Sequence, residues 1–239
     1  MGIGPVPIGA SYGVRSARDM VRSLRAVLIF FLCVIAPVAH AADPLDAVFA
    51  RIDQAAKTFK GLTADITNTE YTAVVDNKDV HTGTIKLLPA KDGTHVLLVR
   101  QDGMELAFNG HKGQSYNPKT NVVDEKDFSQ SVVSQYLQLG FGATSAQLKT
   151  TYDIAYAGAE QIGNQQTSHI TLIAKSPETR RDMKQAELWI GENGLAVQQK
   201  IVRPDGDYQL YTYSHMTLGA MPEKDLAIKV HSGATIQKH

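Results

Sequence analysis

The sequence predicts a mainly β (α+β) fold: a single large curled antiparallel sheet forming an incomplete β-barrel, with helical segments set to close its opening. Three observations predict it. One amphipathic helical pattern stands at the start of the folded part. A long series of short Val-, Ile-, Thr- and Tyr-rich segments follows, separated by turn signals. A single helical interruption lies in the middle.

The opening pattern runs from Pro44 to Leu62, where Leu45, Val48, Phe49, Ile52, Ala56 and Phe59 recur at steps of three and four residues among Asp46, Arg51, Asp53 and Lys57. Asp43 is placed to cap this helix and Gly61 to stop it. Beyond it, Asp76-Asn77-Lys78, Lys91-Asp92-Gly93, Gln101-Asp102-Gly103, Asn109-Gly110-His111-Lys112-Gly113, Gly191-Glu192-Asn193-Gly194 and Pro204-Asp205-Gly206-Asp207 read as hairpin turns. They divide the chain into strands expected over 63–75, 79–88, 94–101, 104–109, 113–117, 152–162, 165–175, 183–192, 195–203 and 207–219, with a short last one over 226–231. Connections this short pair consecutive strands antiparallel, because parallel neighbours need crossovers.

Between Phe128 and Tyr152 the pattern changes. Val132, Val133, Tyr136, Leu137 and Leu139 read as a helix, followed by Gly140-Phe141-Gly142 and a second short helix over Ser145–Thr151. A sheet of about eleven twisted strands curls rather than staying flat. One of its faces is apolar: Met104, Leu106 and Phe108 alternate in phase, as do Ile170, Leu172 and Ala174, and Ala186, Leu188 and Ile190. That face is either core packed against the helices or the wall of a ligand cavity between sheet and helices.

Ahead of this domain, Arg22–Ala42 has a basic start, an apolar run and Ala39-His40-Ala41, the make-up of a cleavable secretory signal peptide. The expected domains are a signal over 1–41, with translation starting at Met20, and one domain over 42–239, outside the cytoplasm. The apolar stretch from Ala26 to Ala39 is too short to span a bilayer. The only cysteine, Cys33, lies inside it and follows Phe30-Phe31-Leu32, so the exported domain is expected to lack both lipid anchor and disulfide. Losing Arg15, Arg18, Arg22, Arg25 and Asp19 from 24 basic and 24 acidic residues leaves 20 and 23, a net charge of −3. That balance, without a basic run, argues against nucleic acid.

No catalytic constellation can be assembled. His81, His95, His111, His169, His215, His231 and His239 are scattered without metal-ligand spacing, and no Gly-x-Ser-x-Gly elbow is present. His169 and His215 fall in strands with no carboxylate pattern beside them in sequence. Asp124, Glu125 and Asp127 read as a solvated loop. The chain is expected to be no enzyme, with no cofactor and no metal.

Several stretches resemble the periplasmic outer-membrane lipoprotein carrier family, the LolA/LolB-like proteins. Phe59-Lys60-Gly61-Leu62-Thr63-Ala64 runs from helix into first strand as in those carriers. His81-Thr82-Gly83-Thr84-Ile85-Lys86-Leu87-Leu88-Pro89 is similar to their glycine-led strand ending in proline. Phe108-Asn109-Gly110, Tyr116-Asn117-Pro118, Ala186-Glu187-Leu188-Trp189-Ile190-Gly191, Leu195-Ala196-Val197-Gln198-Gln199, Gly206-Asp207-Tyr208 and Gly233-Ala234 extend the likeness over nearly all of 44–238. Leu88 stands where the family carries an arginine that ties lid to barrel, Val230-His231-Ser232-Gly233 lacks a proline common there, and Trp189 is the sole tryptophan. The resemblance implies an incomplete barrel with a helical lid, and a monomeric carrier that shields the acyl chains of lipoproteins or another lipid. It also implies inner-membrane release machinery and an outer-membrane acceptor as partners. A sensor or interaction module of the same fold is the alternative. The residues expected to line the cavity are Leu97, Val99, Leu106, Phe108, Tyr116, Val133, Tyr136, Leu137, Leu188 and Ile190.

Overall fold

A computed structural model describes residues 1, 2, 4, 44–91, 93–110, 112–127, 139–229 and 231–239. The chain divides into two units, Met1–Ala41 and Ala42–His239, and every element named below belongs to the second. It opens with helix α1 (Pro44–Thr58), whose first residue is a proline, a position where the missing N–H costs no hydrogen bond. Val48, Phe49 and Ile52 are its buried stripe, and Gly61, at φ +144°, turns the chain into the sheet. Asp43 lies outside the described residues.

Strands β1 (Leu62–Thr72), β2 (Asn77–Ala90), β3 (Gly93–Arg100), β4 (Glu105–Asn109), β5 (Lys112–Asn117) and β6 (Val122–Asp127) form one meander. Helix α2 (Ser145–Thr151) precedes a second one made of β7 (Tyr152–Ile162), β8 (Gln165–Ala174), β9 (Gln185–Ile190), β10 (Ala196–Val202) and β11 (Tyr208–Leu218), with a short helix α3 (Pro177–Asp182) between β8 and β9. β1 joins the two meanders by pairing with β2 on one side and β11 on the other, from Leu62↔Leu218 to Tyr71↔Tyr208. The last strand, β12 (Thr235–Lys238), adds to the far edge. The result is one open, curled sheet of twelve strands in the order β12-β6-β5-β4-β3-β2-β1-β11-β10-β9-β8-β7.

Two strand expectations are corrected. The stretch expected as a loop around Asp124, Glu125 and Asp127 is strand β6: four of its six residues are charged, yet Val123 faces an apolar cluster while the charged side chains reach water or partners. Glu125, for one, accepts from Gln114 Nε2 at 2.7 Å. The strand expected over 226–231 is absent among the described residues there. Leu226 and Ile228 alternate because both pack down onto the sheet, and the chain pairs only later, when β12 runs parallel to β6 from Thr235↔Val122 to Lys238↔Glu125.

The sheet has two faces with separate cores. The concave face carries the main core, in which Ile66, Ile85, Leu87, Leu98, Ile170, Leu188 and Ile190 pack with Val48, Phe49 and Ile52 of α1. Arg51 Nη2 donates to Ser168 Oγ at 2.7 Å, fixing α1 over β8. On the outer face, Leu97, Ala107, Tyr116 and Val123 pack beneath Leu226 and Ile228 of the C-terminal segment.

Helix α2 is held at its start in two ways. Thr144 and Gln147 form a reciprocal capping box. In addition, the Ser145 N–H and Oγ–H each donate to the Asp53 carboxylate at 2.7 Å, tying α1 to α2. The backbone bond from Ser145, then its hydroxyl bond, hold the Asp53 carboxyl below its ordinary value. A carboxyl whose pKa is lowered by folding stabilises the fold above its unfolded pKa, and that contribution disappears as pH falls through the folded value. Asp53→Asn is therefore expected to cost about 1 kcal/mol at pH 7, after allowance for solvent at this half-buried site. Urea titrations from pH 7 to pH 3 should show the difference from the parent shrink toward the acid end.

Candidate functional site

The ten expected lining residues divide between places in the fold. Leu106 and Phe108 face the concave side and line a cavity there. Leu188 and Ile190 share that face but lie fully buried in the core that includes α1. Leu97, Val99 and Tyr116 belong to the outer cluster. Val133, Tyr136 and Leu137 lie outside the described residues, as does most of the expected mid-chain helix.

The split of β3 has a simple cause. Val96-Leu97-Leu98-Val99 is apolar at successive positions, so alternation gives it no phase. The register does: Leu98 pairs with Leu106 and Val96 with Phe108, which puts Leu98 and Val96 on the concave side and Leu97 and Val99 outside.

The concave cavity, of about 140 Å³, is lined by β1, β2, β3, β4 and β11. Ile66, Leu98, Leu106 and Phe108 form its apolar wall, and Tyr211 closes it from β11. Its polar side is built from Asn68, Glu70, His81, Arg100 and Gln209. Strand alternation places Ile66, Asn68 and Glu70 in one row, and cross-strand pairing sets Asn68 between His81 and Tyr211. Arg100 Nη2 donates to His81 Nδ1 at 2.7 Å, and Arg100 Nε donates to Asp102 Oδ1 at 3.1 Å. The Tyr211 hydroxyl donates to Gln209 Oε1. Burial, with the Glu70 charge adding to it, pushes the Tyr211 phenol well above its ordinary range, so it remains a donor. The cavity thus joins an apolar wall to a polar rim whose side chains hydrogen-bond to one another. Among the described residues, no three His, Cys, Asp or Glu side chains converge as metal ligands, and no helix is long and apolar enough to cross a membrane.

Sequence reasoning missed Ile66, Asn68, Leu98, Arg100 and Tyr211. One signal was available: Asn68 stands in phase with Leu62, Ala64 and Ile66, a polar residue on an otherwise apolar row.

The outer face is occupied by the C-terminal segment, which crosses β2 to β6 before forming β12. Glu105, 6% exposed, accepts from the Lys229 N–H and from His231 Nε2, each at 3.1 Å. The His231 ring stacks on Tyr116 at 3.9 Å, and the Tyr116 hydroxyl donates to Asn121 Oδ1 at 3.1 Å. The tyrosine of Tyr116-Asn117-Pro118 thus clamps the C-terminal strap. Leu88 packs in the same outer cluster, so position 88 faces the strap and not the concave side. Glu105→Ala takes the acceptor from the Lys229 N–H and from His231 Nε2, both within reach of water, and is expected to cost about 1 kcal/mol, read as a lower urea midpoint.

At the other end of the outer face, register supplies carboxylates that sequence spacing hides. His169 Nδ1 lies 2.8 Å from Glu160 of β7 and its Nε2 lies 3.1 Å from Glu187 of β9, while its ring stacks on Trp189. Trp189 Nε1 donates to Glu160 at 2.8 Å, and this bond, then those of His169, hold the Glu160 carboxyl below its ordinary value.

No protein-family model matches the chain, and no curated protein sequence matches it. Among solved structures, an uncharacterized conserved protein from Thermus thermophilus superimposes with a TM-score of 0.52 at 8% identity, covering 82% of this chain and 100% of that one. The two share a fold. MucB matches with a TM-score of 0.48 at 15% identity over 77% of this chain and 63% of its own, and a LolA superfamily protein, NE2245 from Nitrosomonas europaea, with 0.39 at 11% over 77% and 97%.

Proposed function

We propose that this protein is a periplasmic carrier, exported by a cleavable signal peptide over 1–41, that shields the acyl chains of lipoproteins or of another lipid and delivers them to the outer membrane. The observation that carries this reading is the concave cavity walled by Ile66, Leu98, Leu106 and Phe108 on an open, curled sheet. Each methylene left in water costs about 0.8 kcal/mol, so a multiply acylated molecule needs an apolar container to cross an aqueous compartment. A cavity of about 140 Å³ equals roughly five water volumes and accepts the end of a chain. Taking up a whole chain then requires α1 to move from the sheet, against its Arg51–Ser168 and Asp53–Ser145 bonds. A container that opens by such a movement would also solve release, since a ligand shifts the equilibrium only by its differential affinity for the two states. The chain would meet inner-membrane release machinery at loading and an outer-membrane acceptor at delivery, both by the resemblance.

Native mass spectrometry of protein taken from an envelope extract, followed by displacement with a fluorescent fatty acyl probe, tests the reading. A stoichiometric lipid or lipopeptide adduct that the probe displaces is expected. An empty protein that excludes the probe would leave the concave face as packed core and favour an interaction module.

A further inference from the structure

Asn68 sits on the cavity wall with 8% of its surface exposed, and its Oδ1 is buried without a hydrogen-bond partner. Its amide orientation is fixed by chemistry: Nδ2 donates to Glu70 Oε1 at 2.9 Å, and turning the amide over would set one acceptor oxygen against another. The unmatched atom is therefore an acceptor. The two strongest donors nearby are engaged elsewhere. Tyr211 gives its proton to Gln209, and Arg100 is shared between His81 and Asp102, whose carboxylate answers its charge. Glu70, on the same wall, adds a further acceptor. The cavity accordingly has an apolar wall, a buried acceptor without a partner and an arginine whose charge Asp102 already answers, which leaves little to attract a carboxylate.

We propose that this cavity is a subsite for an apolar ligand whose buried end carries a hydrogen-bond donor, an O–H or an amide N–H, given to Asn68 Oδ1. The subsite rests on the carrier reading and narrows its cargo: a hydroxylated or amide-linked chain is preferred over a free fatty acid or an ester of equal length. Discrimination follows from the asymmetry of buried polar groups, because a ligand without a donor leaves Oδ1 desolvated and unmatched.

The experiment compares 1-dodecanol, dodecanamide, methyl dodecyl ether and sodium dodecanoate as competitors of a fluorescent acyl probe on the whole protein. Dodecanol and dodecanamide are expected to bind roughly three- to tenfold more tightly than the ether and the carboxylate, and Asn68→Leu should erase that preference while leaving the ether's affinity within about twofold. Dodecanol preferred over dodecanamide points to hydroxyl-bearing cargo, and the reverse order to amide-linked cargo; either supports the subsite. Equal binding of dodecanol and ether by the parent protein overturns the subsite and leaves the carrier reading standing, a result that does not depend on the variant folding. Tighter binding of dodecanoate overturns it in favour of an anion site. Failure of all four to compete overturns both readings.

Discussion

Gly194→Ala is expected to melt roughly 10 °C below the parent protein. Gly194 lies in the turn between β9 and β10, at φ +77°, and a Cβ there would stand 2.1 Å from the Arg51 carbonyl oxygen and 3.0 Å from Ala55 Cβ. The obstacle is helix backbone, which cannot rotate aside. The left-handed backbone costs a side chain about 1–2 kcal/mol, and forcing atoms into a packed contact adds about 1–3 kcal/mol. To relieve the contact α1 must lift, taking Val48, Phe49 and Ile52 out of the core. Gly163→Ala separates the two causes. That glycine also has a positive φ, +59°, but open space surrounds its missing Cβ, so only the backbone cost of about 1 kcal/mol is expected. Equal losses in the two variants by differential scanning fluorimetry would show that close packing on α1 is not what Gly194 supplies.

Leu106→Trp is expected to weaken binding of an acyl probe more than tenfold with little loss of stability. Leu106 is half-buried and projects into the concave cavity, so an indole there takes up volume that two or more methylenes of a chain would fill. Excluding two methylenes forfeits about 1.6 kcal/mol, which exceeds a factor of ten in affinity. The matched variant is Val99→Trp, one strand away and on the outer face, where affinity should change less than twofold. Fluorescence titration of both variants reads the contrast. Equal loss in the two would mean that binding does not depend on the concave face.

The contrast between these two variants also shows what the sequence could and could not reveal. Turn chemistry was legible: each Gly/Asn/Asp-rich run in the described part separates strands, α1 falls where periodicity puts it, and α2 spans the expected Ser145–Thr151. Phase was legible where apolar and polar residues alternate, as in Leu106-Ala107-Phe108 beside Glu105, or in β9. It was hidden in β3, where both faces are apolar because both faces are covered, one by the main core and one by the strap. The strap itself reads as a strand because Leu226 and Ile228 meet the sheet at every second residue, the period a strand would show. β6 escapes notice for the opposite reason, since an edge later covered by β12 tolerates charge. The polar half of the cavity is assembled from β1, β2, β3 and β11, strands up to about 140 positions apart in sequence, through a pairing of β1 with β11 that no local signal announces.

Paramagnetic relaxation shows whether an acyl chain occupies the concave face, in methyl spectra of the Ile-, Leu- and Val-labelled protein recorded with a fatty acid carrying a nitroxide near its tail. Stronger broadening of Ile66, Leu98 and Leu106 than of Leu97 and Val99 is the predicted result. Strongest broadening at Leu97, Val99 and Leu226, or none at saturating ligand, would contradict it.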